Sequence, residues 1–111
     1  QQPLVDAKRR EIERIEAERD DLARRIAQEA DVMLADLRAM DAMHARLAGS
    51  GMQLAGERVA LVTASYQAGR ADLGAVLAAR TQALDTRMKV IELDAQRAAM
   101  RVKLAALVAE E

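Results

Sequence analysis

The sequence contains no cysteine, phenylalanine or tryptophan, one proline, and a single aromatic residue, Tyr66. Without cysteine the chain has neither disulfides nor thiolate metal ligands. With one aromatic side chain among 111 residues, it has little bulk to fill a thick globular core. Ala, Leu, Arg, Glu and Asp dominate instead, which favours long helices packed along narrow seams.

Charge of neither sign dominates, since 17 basic residues are interspersed with 18 acidic ones. No face is therefore basic enough to collect phosphates or anionic lipid, and we predict no nucleic-acid partner. The longest uncharged stretches, near residues 47–56 and 59–69, fall short of the roughly 18 apolar residues of a membrane-spanning helix. The chain begins QQPL, so we expect it to be a piece of a longer protein.

Few residues could support catalysis. One histidine, no cysteine and no Gly-rich phosphate loop provide neither a nucleophile with its base nor a catalytic metal site, so we predict no enzyme and no cofactor. Met40, Met43 and His44 form the one cluster with groups that could share a soft cation such as Cu(I). We favour the plainer interpretation that Met40 fills a gap in a helical seam and His44 has no ligand role, so no metal site is predicted.

Two segments could end a helix: Gly49-Ser50-Gly51 and Gly69-Arg70-Ala71-Asp72. Apolar residues recur every seven positions straight through the first segment: Val5, Ile12, Ile26, Met33, Met40, Leu47, Leu54, Leu61 and Ala68, with Arg19 as the exception. A turn that ended the helix would not be expected to preserve this sevenfold spacing. We therefore predict that the glycines at 49 and 51 weaken or bend one helix without ending it.

The second segment has the features of a tight turn between helices. Gly69 can adopt the left-handed conformation that ends a helix, Asp72 is a good N-cap, and Leu73 opens the next apolar run. The predicted fold is all-α: a single long antiparallel hairpin over residues 1–111, with a helix at about 4–67, a tip turn at about 68–72 and a helix at about 73–110. Residues up to about 30 have no hairpin partner, so this overhang should self-associate or fray.

The return helix carries two apolar seams on different faces. One consists of Leu77, Thr81, Leu84, Met88, Ile91, Ala95, Ala98, Val102 and Ala105; the other consists of Ala79, Ala83, Val90, Leu93, Met100, Leu104 and Leu107. One partner cannot cover both faces. We expect neighbours on two sides, as for a stave of an α-barrel tunnel wall.

The tip stretch Tyr66-x-x-Gly69-Arg70-x-Asp72-Leu73-x-x-Val76-Leu77-Ala78-Ala79-Arg80 resembles the periplasmic tip of the TolC-type outer-membrane efflux channels, the outer membrane factor family. In that family a Tyr-x-x-Gly turn precedes an apolar-x-x-x-Val-Leu-x-Ala helix. The flanking PLVDAKR and LDTRMKVIELDAQRA look most similar to the branch that serves heavy-metal resistance-nodulation-division pumps. The resemblance covers nearly the whole chain, although only the tip motif is moderately specific.

The resemblance implies an excised hairpin from the periplasmic portion of a Gram-negative outer-membrane protein, homotrimeric at full length, with membrane contact only through parts absent from this chain. It also implies a periplasmic adaptor, which docks at the tip, and an inner-membrane pump for metal cations. Carried onto this sequence, the docking residues are Tyr66, Gly69, Arg70, Ala71, Asp72 and Leu73, with Tyr66 helping to hold the closed state. Ala75 and Ala78 stand where some members have acidic gate residues, so an acidic gate is not expected.

Plainer interpretations stay open at this point. Tyr66 is also explained as an apolar cap on a narrow seam, and Arg70 with Asp72 as a solvated turn. The alternative function is a structural or interaction coiled-coil hairpin with no transport role, such as an adaptor hairpin or a scaffold. An adaptor hairpin should carry its own family's spaced Arg, Leu and Ser across the turn, and no such set is present.

Overall fold

The computed structural model describes residues 1–109, which form a helical hairpin with extents of 98, 19 and 15 Å. Helix α1 spans Gln2–Arg46, a π-helical turn spans Leu47–Gly51, α2 spans Met52–Gln67, and α3 spans Leu73–Ala109. The predicted all-α hairpin is confirmed. The predicted end of the return helix, at about residue 110, lies outside the described residues.

Local sequence explains the continuity of these helices. Pro3 lies in the first turn of α1, where its missing N–H would have no intrahelical partner. The remaining helical segments contain no proline and are rich in strong helix formers such as Ala, Leu, Arg and Glu. Within residues 1–109, no helix combines the length and the apolar character that crossing a bilayer would require.

The hairpin core is a narrow line of small and apolar side chains. Leu37 of α1 is buried against α3, which contributes the buried residues Val76, Ala79 and Leu93. The small side chain of Ala79 permits close approach of the two helices. By contrast, residues 7–25 of α1 are all exposed, so the first part of the long helix projects without cover.

The glycines at 49 and 51 lie in a π-helical turn that joins α1 to α2 without reversing the chain. The backbone N–H of Met52 donates to the carbonyl of Leu47, five residues earlier. Ser50 Oγ donates to the Arg46 carbonyl at 3.3 Å, and a Cβ added at Gly51 would lie 3.3 Å from that same oxygen. Glycine at 51 therefore gives the wider turn the room it needs.

The apolar register does not run unchanged through the π turn, so that part of the sequence prediction is wrong. Before the turn, the half-buried positions include Met40 and Leu47, as the sevenfold spacing predicts. After it, Leu54 and Leu61 are 63% and 69% exposed, and Ala68 is exposed as well. The half-buried positions are now Ala55, Val59 and Val62. A turn closed by i→i+5 bonds takes up one more residue than an α turn, and this moves the seam by one position.

Helix α3 packs on the first helix through only one of its two seams. The inner seam is buried or half-buried along its length: Ala79, Ala83, Val90, Leu93, Met100, Leu104 and Leu107. The large side chains of the other seam are 55% to 70% exposed: Leu77, Leu84, Met88, Ile91 and Val102. We call this second set, with Thr81, Ala95, Ala98 and Ala105, the outer seam. Within residues 1–109 nothing covers it.

Candidate functional site at the hairpin tip

Helix α2 ends in a Schellman turn at the tip. The N–H of Arg70 donates to the Ser65 carbonyl at 2.8 Å, and the N–H of Gly69 donates to the Tyr66 carbonyl at 3.0 Å. Gly69 has φ 75°, a left-handed conformation that side chains disfavour. No atom lies within 4 Å of a Cβ built at this position, so the requirement for glycine comes from the backbone conformation and not from crowding.

Helix α3 begins with an aspartate cap. Asp72 Oδ1 accepts a hydrogen bond from the Ala75 N–H at 2.8 Å, which satisfies one of the N–H groups that a helix start leaves without a partner. Residues 68–72 thus reverse the chain with their own hydrogen bonds, and Ala71 is half-buried between the two caps. The tip is therefore a defined turn whose geometry follows from Gly69 and Asp72.

The structure brings all six predicted tip residues into this one turn and its flanks. Tyr66 and Leu73 keep 43% and 53% of their surface exposed, and Arg70 is exposed between them in sequence. Among residues 1–109, the ion pairs do not involve Arg70. An aromatic ring, an aliphatic side chain and a guanidinium group are thus presented together at the end of the rod.

A network of charged side chains across the hairpin was not predicted from the sequence. Asp41 Oδ1 accepts hydrogen bonds from Arg97 Nε at 2.5 Å and from Arg101 at 3.2 Å, and Arg97 also donates to Asp94 at 3.1 Å. The Arg97 side chain is 16% exposed. The hydrogen bond from Arg97 lowers the pKa of the Asp41 carboxyl. Desolvation raises this pKa by less than the hydrogen bond lowers it, and the positive charges of Arg101 and Arg97 lower it further.

Predicting this network requires knowing which residues of α1 lie opposite which residues of α3. Two hydrogen bonds join the arms of the hairpin, from Arg97 to Asp41 and from Arg58 to Gln82. Between them the arm formed by α1, the π turn and α2 advances 17 residues, whereas α3 advances 15. The first helical arm therefore takes up two more residues than α3 over this interval, and the π turn accounts for one of them. A turn near residue 70 brings these regions together, but the sequence alone does not fix which charges meet.

Met40, Met43 and His44, the cluster that we did not favour as a metal site, differ in their exposure and in their neighbours. His44 Nε2 lies 3.7 Å from Asp94 Oδ1 of α3, Met40 is half-buried, and Met43 is exposed. Across residues 1–109 no group of three or more His, Cys, Asp and Glu side chains is placed to hold a metal ion. His44 is instead placed beside a carboxylate at the hairpin interface.

An open groove of 380 Å³ runs between α2 and α3 above the tip. Apolar atoms form most of its walls, and two arginines stand at its α3 side; the lining residues are Met52, Ala55, Gly56, Val59, Arg80, Ala83, Leu84 and Arg87. No pattern in the sequence predicts this groove, because the π turn decides which residues of α2 face α3.

Comparisons with known proteins returned no match for this chain among family models, curated proteins or solved structures. The resemblance to the TolC-type channels accordingly stays a prediction that rests on the tip residues.

Proposed function

We propose that the chain is a periplasmic tunnel hairpin of a TolC-type outer-membrane efflux channel from the branch that serves heavy-metal pumps. In this proposal its tip docks a periplasmic adaptor and takes part in opening the exit duct of a tripartite pump for metal cations. The full-length channel would be a homotrimer in the outer membrane of a Gram-negative bacterium. The chain itself would have no enzymatic role.

The tip geometry is the observation that supports the proposal most. The Schellman turn and the Asp72 cap form the hydrogen bonds that hold the turn, all from within the chain and none through the side chains of Tyr66, Arg70 or Leu73. The exposed side chains of Tyr66, Arg70 and Leu73 are consequently not needed to hold the turn together. Tyrosine and arginine are also the residue types that most often dominate the binding energy of protein interfaces.

The shape of the molecule agrees with a tunnel wall. The hairpin is a rod with extents of 98, 19 and 15 Å, so the tip lies far from the opposite end of the molecule. Because α3 has apolar seams on two faces and one is uncovered, it can pack between two neighbours, as a stave must. Small residues in both seams permit close helix approach.

Site-specific photo-crosslinking tests the proposal. A benzophenone amino acid is placed at Arg70, and the chain is mixed with the periplasmic adaptor of a heavy-metal pump. A matched probe at Leu54, which is also exposed but lies on α2 well above the tip, serves as the control. We expect adaptor adducts from position 70 and none from position 54.

The outer seam of α3 supports the alternative function, an interaction hairpin without a transport role, because any coiled-coil partner could use this face. The same experiment separates the two functions. Adducts confined to a probe at Leu84 on the outer seam, with none at position 70, would favour the interaction hairpin and contradict tip docking.

A further inference from the structure

We propose that the outer seam of α3 binds a second copy of the same chain, with the two α3 helices parallel and in register as a two-stranded coiled coil. A dimer through this face would take the place of the neighbouring stave of a trimeric tunnel, so the inference rests on the alternative function, an interaction hairpin, and not on adaptor docking at the tip. The charges beside the seam favour a second copy of the chain as the partner.

The outer seam has the spacing of a coiled-coil face. Its residues alternate by four and three from Leu77 to Ala105, which extends about 42 Å along the helix. Thr81, Met88, Ala95 and Val102 take the a positions, and Leu77, Leu84, Ile91, Ala98 and Ala105 take the d positions. The face lies about 160° around α3 from the inner seam, so a partner helix can dock without displacing α1 or α2.

Charges on the two flanks favour parallel over antiparallel pairing. In a parallel coiled coil each g residue meets the e residue five positions further along the partner. This rule pairs Arg80 with Asp85 and Arg87 with Glu92, and the two-fold symmetry makes each pair twice. An antiparallel overlap sets e positions against each other and brings Asp85 beside Glu92, which are like charges.

These flanking charges are not engaged elsewhere in the described hairpin. Among residues 1–109, the ion pairs leave out Arg80, Arg87 and Asp85, and Glu92 has only a 3.8 Å contact with Lys89 on its own helix. All four side chains are exposed. They are therefore available to a partner without breaking a contact of the hairpin.

The apolar area is sufficient for a stable pair. Five large side chains of the outer seam are 55% to 70% exposed, and each offers roughly 100 Å² of apolar surface. Together with the alanines and the stems of the flanking charges, this approaches the roughly 800 Å² per partner of a standard interface. Parallel pairing also places both tips at the same end.

Charge-reversed variants give the sharpest test. R80E/R87E and D85R/E92R each turn the four predicted attractions into repulsions, whereas an equimolar mixture restores them between unlike chains. Analytical ultracentrifugation measures the association. We expect the native chain to dimerise and each variant alone to dimerise at least about tenfold more weakly. The equimolar mixture of the two variants should recover dimers. Circular dichroism checks that both variants keep the helicity of the native chain. A native chain that stays monomeric, or variants that dimerise like the native chain, would overturn the proposal.

Cysteine crosslinking checks the orientation, since the chain has no cysteine of its own. Under mild oxidation, A95C at an a position should form a disulfide-linked dimer with itself. Q96C, its exposed neighbour outside the seam, should not. In the antiparallel arrangement A95C would instead link to L84C of a second chain, and that result, or equal crosslinking of A95C and Q96C, would contradict parallel pairing.

Discussion

Gly49 and Gly51 lie two positions apart in the same π turn, but alanine should stabilise the chain only at Gly49. A Cβ at Gly49 meets no atom within 4 Å, so Gly49→Ala needs no rearrangement. A Cβ at Gly51 lies 3.3 Å from the Arg46 carbonyl oxygen and 3.4 Å from Leu47 Cδ2. The backbone oxygen cannot rotate away, so Gly51→Ala must distort the turn.

The magnitudes follow from helix propensity and this crowding. Alanine is about 1 kcal/mol more favourable than glycine inside a helix, and Gly49→Ala should realise that gain in full. For a chain of this size the gain corresponds to a rise in Tm of roughly 4 °C. At Gly51 the crowding offsets the same gain, so we expect no net stabilisation, and a difference between the variants of about 1 kcal/mol.

Urea denaturation followed by circular dichroism measures both free energies of unfolding, at one fixed protein concentration. Gly56→Ala is a second control, because that glycine of α2 also has no atom within 4 Å of a built Cβ. Equal stabilisation by Gly49→Ala and Gly51→Ala would refute the crowded π turn. The shifted register of α2 would then lose its physical cause.

Three further changes test the tip and the charge network. Gly69→Ala should cost roughly 1–2 kcal/mol because φ is 75°, and thermal melts that show no loss would argue against the left-handed turn. Asp72→Ala should cost about 1 kcal/mol through loss of the Ala75 hydrogen bond, whereas Asp72→Asn should keep most of the stability; equal losses in urea denaturation would exclude capping. The pKa of Asp41 is lowered in the folded chain, so its carboxylate stabilises the fold above the ordinary value of 3.8, and this contribution is lost as the pH falls through the lower folded pKa. Asp41→Asn should thus be less stable than the native chain at neutral pH, with a gap that closes in acid; a gap independent of pH would contradict the Arg97 contact.

The tip could be predicted from the sequence because its causes are local. Gly69 supplies the left-handed residue and Asp72 the cap, and each acts on backbone groups a few positions away. The two-faced character of α3 was also readable, since the helix has a regular period throughout. These features depend on single helices and not on how two helices meet.

The register of α2 and the charge network could not be predicted in the same way. Leu54 and Leu61 continue the sevenfold spacing, but the π turn rotates them out of the seam. Nothing in the local spacing distinguishes a glycine pair that bends an α-helix from one that holds a π turn. Asp41 and Arg97 meet across 56 positions, so a shift of one residue decides whether they pair.

Binding of the chain to the α-hairpin of a periplasmic adaptor from a heavy-metal pump tests the proposed function most directly. Biolayer interferometry would compare the native chain with Leu73→Glu at the tip and with Leu54→Glu, an equally drastic change at an exposed leucine away from the tip. We expect saturable binding that Leu73→Glu weakens at least about tenfold and Leu54→Glu leaves unchanged. Absence of binding by the native chain, or equal loss in both variants, would contradict docking at the tip.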